Sequence, residues 1–124
     1  RGCLTAILLF GLTAFSAAWG AEGGESRPGR PRLLVFGSQG CAPCKRLAPL
    51  LEELRREFAD RAAVVYRDVW REGGGQADVD AYALRALPTL LFFDGQGVLR
   101  HRLEGFTGEE DLRSLLKDVS PDRP

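Results

Sequence analysis

Two short apolar runs, Arg32-Leu33-Leu34-Val35-Phe36-Gly37 and Ala62 to Val69, bracket a stretch in which Leu47, Leu50, Leu51, Leu54 and Phe58 recur at helical spacing. The stripe paints one apolar face of a helix. Lys45, Arg46, Glu52, Glu53, Arg55, Arg56 and Glu57 cover its other sides. Short apolar runs closed by Gly, Ser or charged residues read as buried strands. A helix between two strands is the crossover that parallel pairing requires, because parallel strands cannot be joined by a tight turn. The helix should start near Cys41. It contains Pro49, which removes one ladder bond and should kink it.

The later half of the chain adds a second pattern. Gly73-Gly74-Gly75 reads as a loop, and Asp78 is placed to cap a short helix running through Asp80, Tyr82 and Leu84. After Pro88, Thr89-Leu90-Leu91-Phe92-Phe93 reads as a strand. Asp94-Gly95-Gln96-Gly97 is a turn that feeds Val98 to Leu103 as its antiparallel partner. Thr107 should open a last helix, with Glu110 completing a capping box and Leu112, Leu115, Leu116 and Val119 as the buried stripe. The order β-α-β-α-β-β-α predicts an α/β sandwich over residues 32–120, with a mixed four-stranded sheet flanked by helices, and a tail at 121–124. At 124 residues there is room for one domain, and 44% hydrophobic residues suffice to pack its core. Seventeen basic and seventeen acidic side chains cancel, so no global field points to nucleic acid. Trp70 and Tyr82 read as packing groups, and His101, between Arg100 and Arg102, as a solvated face residue.

The N-terminal segment has a different character. From Cys3 to Ala21 no side chain is charged, and Arg1 stands just before this run. A basic start, an apolar centre and small residues near the end make residues 1–21 a signal peptide. The competing reading is an N-terminal membrane anchor, since these nineteen uncharged residues nearly reach the ~20 needed to span a bilayer. Either way the rest of the chain is expected outside the cytoplasm: in the periplasm, secreted, or tethered to the membrane. Residues 22–31, rich in Gly, Pro, Glu and Arg, read as a flexible spacer.

Chemistry concentrates at Cys41-Ala42-Pro43-Cys44, where the first strand gives way to the helix. A thiol attacks as its thiolate. A helix N-terminus favours that anion through its free N–H groups and the positive end of its dipole. Pro43 fits the first turn, where its missing N–H costs nothing. Three residues along one turn bring the second thiol close to the first. Lowering a Cys pKa from ~8.5 to ~7 raises the thiolate fraction at neutral pH roughly fifteen-fold. The accompanying loss of nucleophilicity is about five-fold, so the net gain is only about three-fold. Position therefore matters more than acidity. A pair of cysteines is also half a metal site, but zinc wants about four ligands and His101 is the one imidazole in the chain. No resident metal is expected.

These residues resemble the thioredoxin family. The similarity rests on the CxPC motif followed by Lys45, on Pro49 five residues past Cys44, on Leu87-Pro88-Thr89 before a strand, and on Gly105 after the last strand. It spans about residues 32 to 119. The resemblance implies that Cys41 is the nucleophile and Cys44 the resolving thiol, with no cofactor beyond their redox-active disulfide. It further implies that Pro88 is cis and lies against the cysteine pair, that the Leu87 backbone pairs with a substrate strand, and that Gly40 lies beside that strand. Two positions depart from the family pattern: Gly40 stands where the family carries Trp, and Val35 where it carries a buried acid. Glu52 and Asp68 are the candidates to handle the proton in its place.

The function expected on these grounds is reduction of disulfides in exported proteins by a monomer that takes electrons from a membrane thiol carrier. Pro43 before the second cysteine, with no His between the pair, resembles the reducing members. Two alternatives use the same two sulfurs. One is a disulfide oxidase or isomerase on the same fold; the other is a metallochaperone carrying Cu(I), which soft thiolates suit.

Overall fold

The computed structural model describes residues 29–71, 75–106 and 108–121. Its elements run β1 (Arg32–Gly37), α1 (Ala42–Glu57), β2 (Ala63–Asp68), α2 (Gly75–Ala81), β3 (Thr89–Phe93), β4 (Leu99–Glu104) and α3 (Glu109–Val119). The strands form one mixed sheet in the order β2-β1-β3-β4. β1 pairs parallel with β2 and antiparallel with β3, and β3 pairs antiparallel with β4. The α/β architecture expected from the periodicities is the one observed.

β1 is a continuous apolar run because both of its faces are covered. Leu33 and Val35 point to one side with Leu90 and Phe92, against Leu47, Leu51, Leu54 and Phe58 of the α1 region and Leu112 and Leu116 of α3. Leu34 and Phe36 point to the other side with Leu91 and Phe93, and there meet Val69, Val79, Tyr82 and Leu84. Burying one such side chain contributes about 1.5–3 kcal/mol. The helices are therefore held by their apolar faces more than by helix propensity. Pro49 sits inside α1 on its exposed side, so it takes no place in the core while removing one ladder bond and crowding the preceding turn.

The topology gathers four chain segments at one end of the sheet. The end of β2 is tied to the end of β1 by Val69 N–H donating to the Gly37 carbonyl at 2.9 Å, and Phe36 faces Thr89 across β1 and β3. Gly105, just past β4, donates its N–H to the Pro88 carbonyl at 2.8 Å. At the opposite end Gly29 N–H donates to the carbonyl of Gly95 in the β3–β4 turn.

Three local expectations need correction. Asp78 does not cap α2: the helix starts at Gly75, and the Asp78 carboxylate lies within it, 2.6 Å from Arg67 Nη1. The last helix is capped at Gly108 without any side-chain bond, in place of the capping box at Thr107; Thr107 itself lies outside the described residues. Trp70 is not a packing group, being 81% exposed, whereas Tyr82 does pack, with its ring centroid 4.9 Å from that of Phe36. The leader (1–21), the spacer as far as residue 28, Gly73 and Gly74, and the tail past Pro121 lie outside the described residues. Among the described residues no helix is long and apolar enough to cross a membrane.

Candidate active site

Cys41 occupies the N-cap of α1 with extended backbone angles (φ −87°, ψ 109°). Its N–H donates to the Ser38 carbonyl at 3.2 Å, which turns the chain from β1 into the helix, and its own carbonyl accepts from Lys45 N–H at 3.1 Å. At an N-cap a side chain normally accepts a backbone N–H that the helix leaves unpaired. Here a sulfur does this: Cys44 N–H points at Cys41 Sγ, 3.2 Å away. Ala42 and Pro43 fill the first two helical positions, where proline loses no bond.

The two cysteines are joined as a disulfide, with their Cα atoms 5.2 Å apart. Their environments differ. Cys41 is half-buried with Gly40 and Ala42 exposed on either side, whereas Cys44 is 3% exposed. A β-carbon at Gly40 would meet nothing within 4 Å, so that position is open space beside the outer sulfur.

Behind Cys44 lies a cavity of about 540 Å³ lined by Ser38, Lys45, Glu52, Arg55 and Tyr66 among others. Of the two carboxylates considered for proton handling, Glu52 reaches this cavity, where Arg55 holds it in an ion pair. Asp68 instead accepts the Trp70 N–H at 2.8 Å. Burial, aided by the negative charge of Asp68, pushes the Tyr66 phenol above its ordinary pKa, so it stays a neutral O–H at physiological pH. The position facing it across the β1–β2 ladder is Val35, fully buried in hydrocarbon.

At the start of β3 the Leu87–Pro88 peptide is cis. Pro88 and Thr89 are buried; Thr89 Oγ1 donates to the Ala86 carbonyl at 2.7 Å, and Gly105, at φ +91°, closes on the Pro88 carbonyl. Leu87 is half-buried against the core layer formed by Leu34, Phe36 and Leu91. Cys41, Cys44, Gly40, Pro43, Leu87 and Pro88 therefore share one end of the sheet. Pro49 lies about two turns along α1 from Cys41 and belongs to the scaffold.

His101 stands midway along the edge strand β4, facing Phe92, and its Nε2 lies 2.7 Å from an Asp118 carboxylate oxygen. It is partnered rather than merely solvated. Among the described residues no group of three or more His, Cys, Asp and Glu side chains converges. Sequence reading passed over Tyr66, which lines the cavity at Cys44, and misplaced Trp70. For Trp70 the available signal was Asp68 two positions earlier, the spacing at which a carboxylate turns the backbone by accepting an N–H.

With this geometry in hand, a thioredoxin-like domain family matches residues 26–120. The chain is 37% identical over 87 residues to a thioredoxin of Acidithiobacillus ferridurans, covering 70% of this chain and 77% of that one. A thioredoxin of Buchnera aphidicola is 35% identical over 86 residues, with 69% and 76% covered. Among solved structures, a thioredoxin from Halobacterium salinarum superposes with a TM-score of 0.65 at 31% identity, covering 76% of this chain and 78% of that one.

Proposed function

The chain belongs to the thioredoxin family and is a thiol–disulfide oxidoreductase, and from that premise we propose that it reduces disulfides of exported proteins. The observation that carries this reading is the unequal placement of the two sulfurs: Cys41 at the helix tip beside open space, Cys44 buried one turn behind. In the dithiol form the Cys41 thiolate attacks one sulfur of the substrate. The substrate S–S bond breaks, and its other sulfur leaves as a thiolate that takes up a proton. Cys44 then loses its proton, and its thiolate attacks Cys41 Sγ and breaks the mixed disulfide. The second substrate sulfur departs, two electrons have passed to the substrate, and the Cys41–Cys44 disulfide has formed. Leu87 and Pro88 hold the substrate strand, and Gly40 leaves room beside it.

Export is supported by the uncharged run from Cys3 to Ala21, read as a signal peptide or anchor. A reductase outside the cytoplasm needs its disulfide reopened, and a membrane-bound dithiol carrier fits that need, with the domain acting as a monomer. The reducing direction is supported by Pro43 and by the absence of His between the cysteines.

The test is a redox titration of the Cys41–Cys44 pair on the full chain, followed by turnover of a protein disulfide from the dithiol form. A midpoint near thioredoxin's, about −270 mV, is expected; a value near −120 mV would assign the protein to oxidation.

A further inference from the structure

Trp70 is the most exposed large hydrophobic side chain among the described residues, at 81%. An indole in that state adds little to the packing of its own domain, and exposed aromatic rings are groups that binding surfaces use as anchors. Its placement is built in, since the Asp68 carboxylate accepts the Trp70 N–H and turns the chain outward at the end of β2. The ring stands on an open groove of about 580 Å³ that also takes in Val79, Leu84 and Leu87, with the exposed Arg71 and Arg85 lining it as well. Clefts of ~300–1,000 Å³ suit a ligand or a protruding side chain.

The groove lies at the same end of the sheet as the redox site. Leu87 lines it and immediately precedes Pro88, while the Val69–Gly37 hydrogen bond ties its floor to the strand that leads to Cys41. Along an extended chain, side chains two residues apart lie on one face, ~6–7 Å apart. With a substrate strand paired at Leu87, as proposed above, the side chain suited to this groove is one within about two residues of the target cysteine. Arg85 is already held by Glu104 at 3.1 Å, so Arg71 is the cation that remains for a ligand's carboxylate.

We infer that the Trp70 groove receives a large apolar side chain flanking the target cysteine of an extended polypeptide substrate, with an acidic residue of the same segment meeting Arg71. The inference rests on the reductase reading and adds a substrate preference to it: unfolded or extended acidic-apolar segments over small or polar disulfides.

The test uses two peptide disulfides that differ at one position next but one to the cysteine, Phe in one and Ser in the other, each with an adjacent Asp. The reduced full chain is expected to favour the Phe peptide in kcat/KM by about tenfold, the effect of one well-packed apolar anchor. Trp70→Ala should bring the two rates to near parity and Trp70→Phe should keep most of the preference; both alter a solvated ring and so leave folding intact. Arg71→Gln should slow the Asp-bearing peptides severalfold and flatten their salt dependence. Equal rates on the two peptides in the parent protein, or a preference that survives Trp70→Ala, overturns the groove assignment while leaving the reductase reading in place. Failure of the reduced protein to act on either peptide overturns both.

Discussion

The ring of Tyr66 lies against the α-carbon of Gly37, so that a β-carbon at position 37 would stand 2.8 and 2.9 Å from two of its ring carbons. This contact roofs the loop that leads from β1 to Cys41, and the same ring forms part of the cavity behind Cys44. Tyr66 belongs to an edge strand and is 37% exposed, so its ring can swing outward when crowded. Gly37→Ala should therefore cost about 1 kcal/mol, at the mild end of overpacking. It should also bring the raised phenol pKa back toward the ordinary value by restoring water to the ring. Ultraviolet titration of the tyrosines with a urea melt checks both; an unshifted Tyr66 transition would show that the ring has not moved.

The two cysteines should separate by mutation. With Cys44→Ser the mixed disulfide on Cys41 has no internal thiol to resolve it and should accumulate on substrate-trapping gels. Cys41→Ser leaves only a 3% exposed sulfur and should trap little. Comparable trapping by both variants would contradict the assigned roles.

Oxidised and reduced forms should differ in stability. Closing the short loop between Cys41 and Cys44 removes unfolded-chain entropy worth about 2 kcal/mol in the oxidised protein. Through the thermodynamic cycle the same difference lowers the potential of the folded pair by ~40 mV relative to an unstructured dithiol, the direction a reductase requires. Denaturant curves with and without reductant measure it. A reduced form more stable than the oxidised one would mark an oxidant instead.

The β3–β4 turn should carry an acid-sensitive share of stability. The Asp94 carboxylate accepts N–H bonds from Gln96 and Val98 at 2.9 and 3.0 Å and from Arg100 at 2.6 Å. The Val98 N–H and the Arg100 guanidinium hold its pKa below the usual carboxylate range. A depressed folded pKa means stabilisation that is complete above the unfolded value of ~3.9 and fades as pH falls through the folded one. Asp94→Asn should thus be less stable than the parent at pH 7, with the gap closing below about pH 4. A gap independent of pH would show that charge plays no part in the turn.

Much of this was readable before any coordinates, for reasons visible in particular residues. Leu47, Leu50, Leu51, Leu54 and Phe58 could face one way only if helical, and β1 through β4 fall within a residue or so of the apolar runs that suggested them. The helix tip was legible because Pro43 and the cysteine spacing are strictly local signals. What escaped depended on tertiary partners. Asp78 looked like a cap, but Arg67, eleven positions earlier, claims its carboxylate from a neighbouring strand. Trp70 looked like core because indoles usually are, and the hydrogen bond from its own backbone to Asp68 turned it to solvent. The cavity behind Cys44 joins residues from the β1–α1 loop, α1 and β2, a conjunction that no stretch of sequence displays.

β2 and β4 are the open margins of the sheet, where an extended segment of another chain could add as a further strand. β4 answers with charge: Arg100 is tied to Asp94, and Arg102 reaches the carbonyls of Tyr82 and Ala83. On the far margin Arg55 occupies the Val64 carbonyl. Cationic borders of this kind discourage edge-to-edge growth into aggregates. A polypeptide meeting the Leu87 end of the sheet therefore finds its two long borders poorly suited to templating further strands.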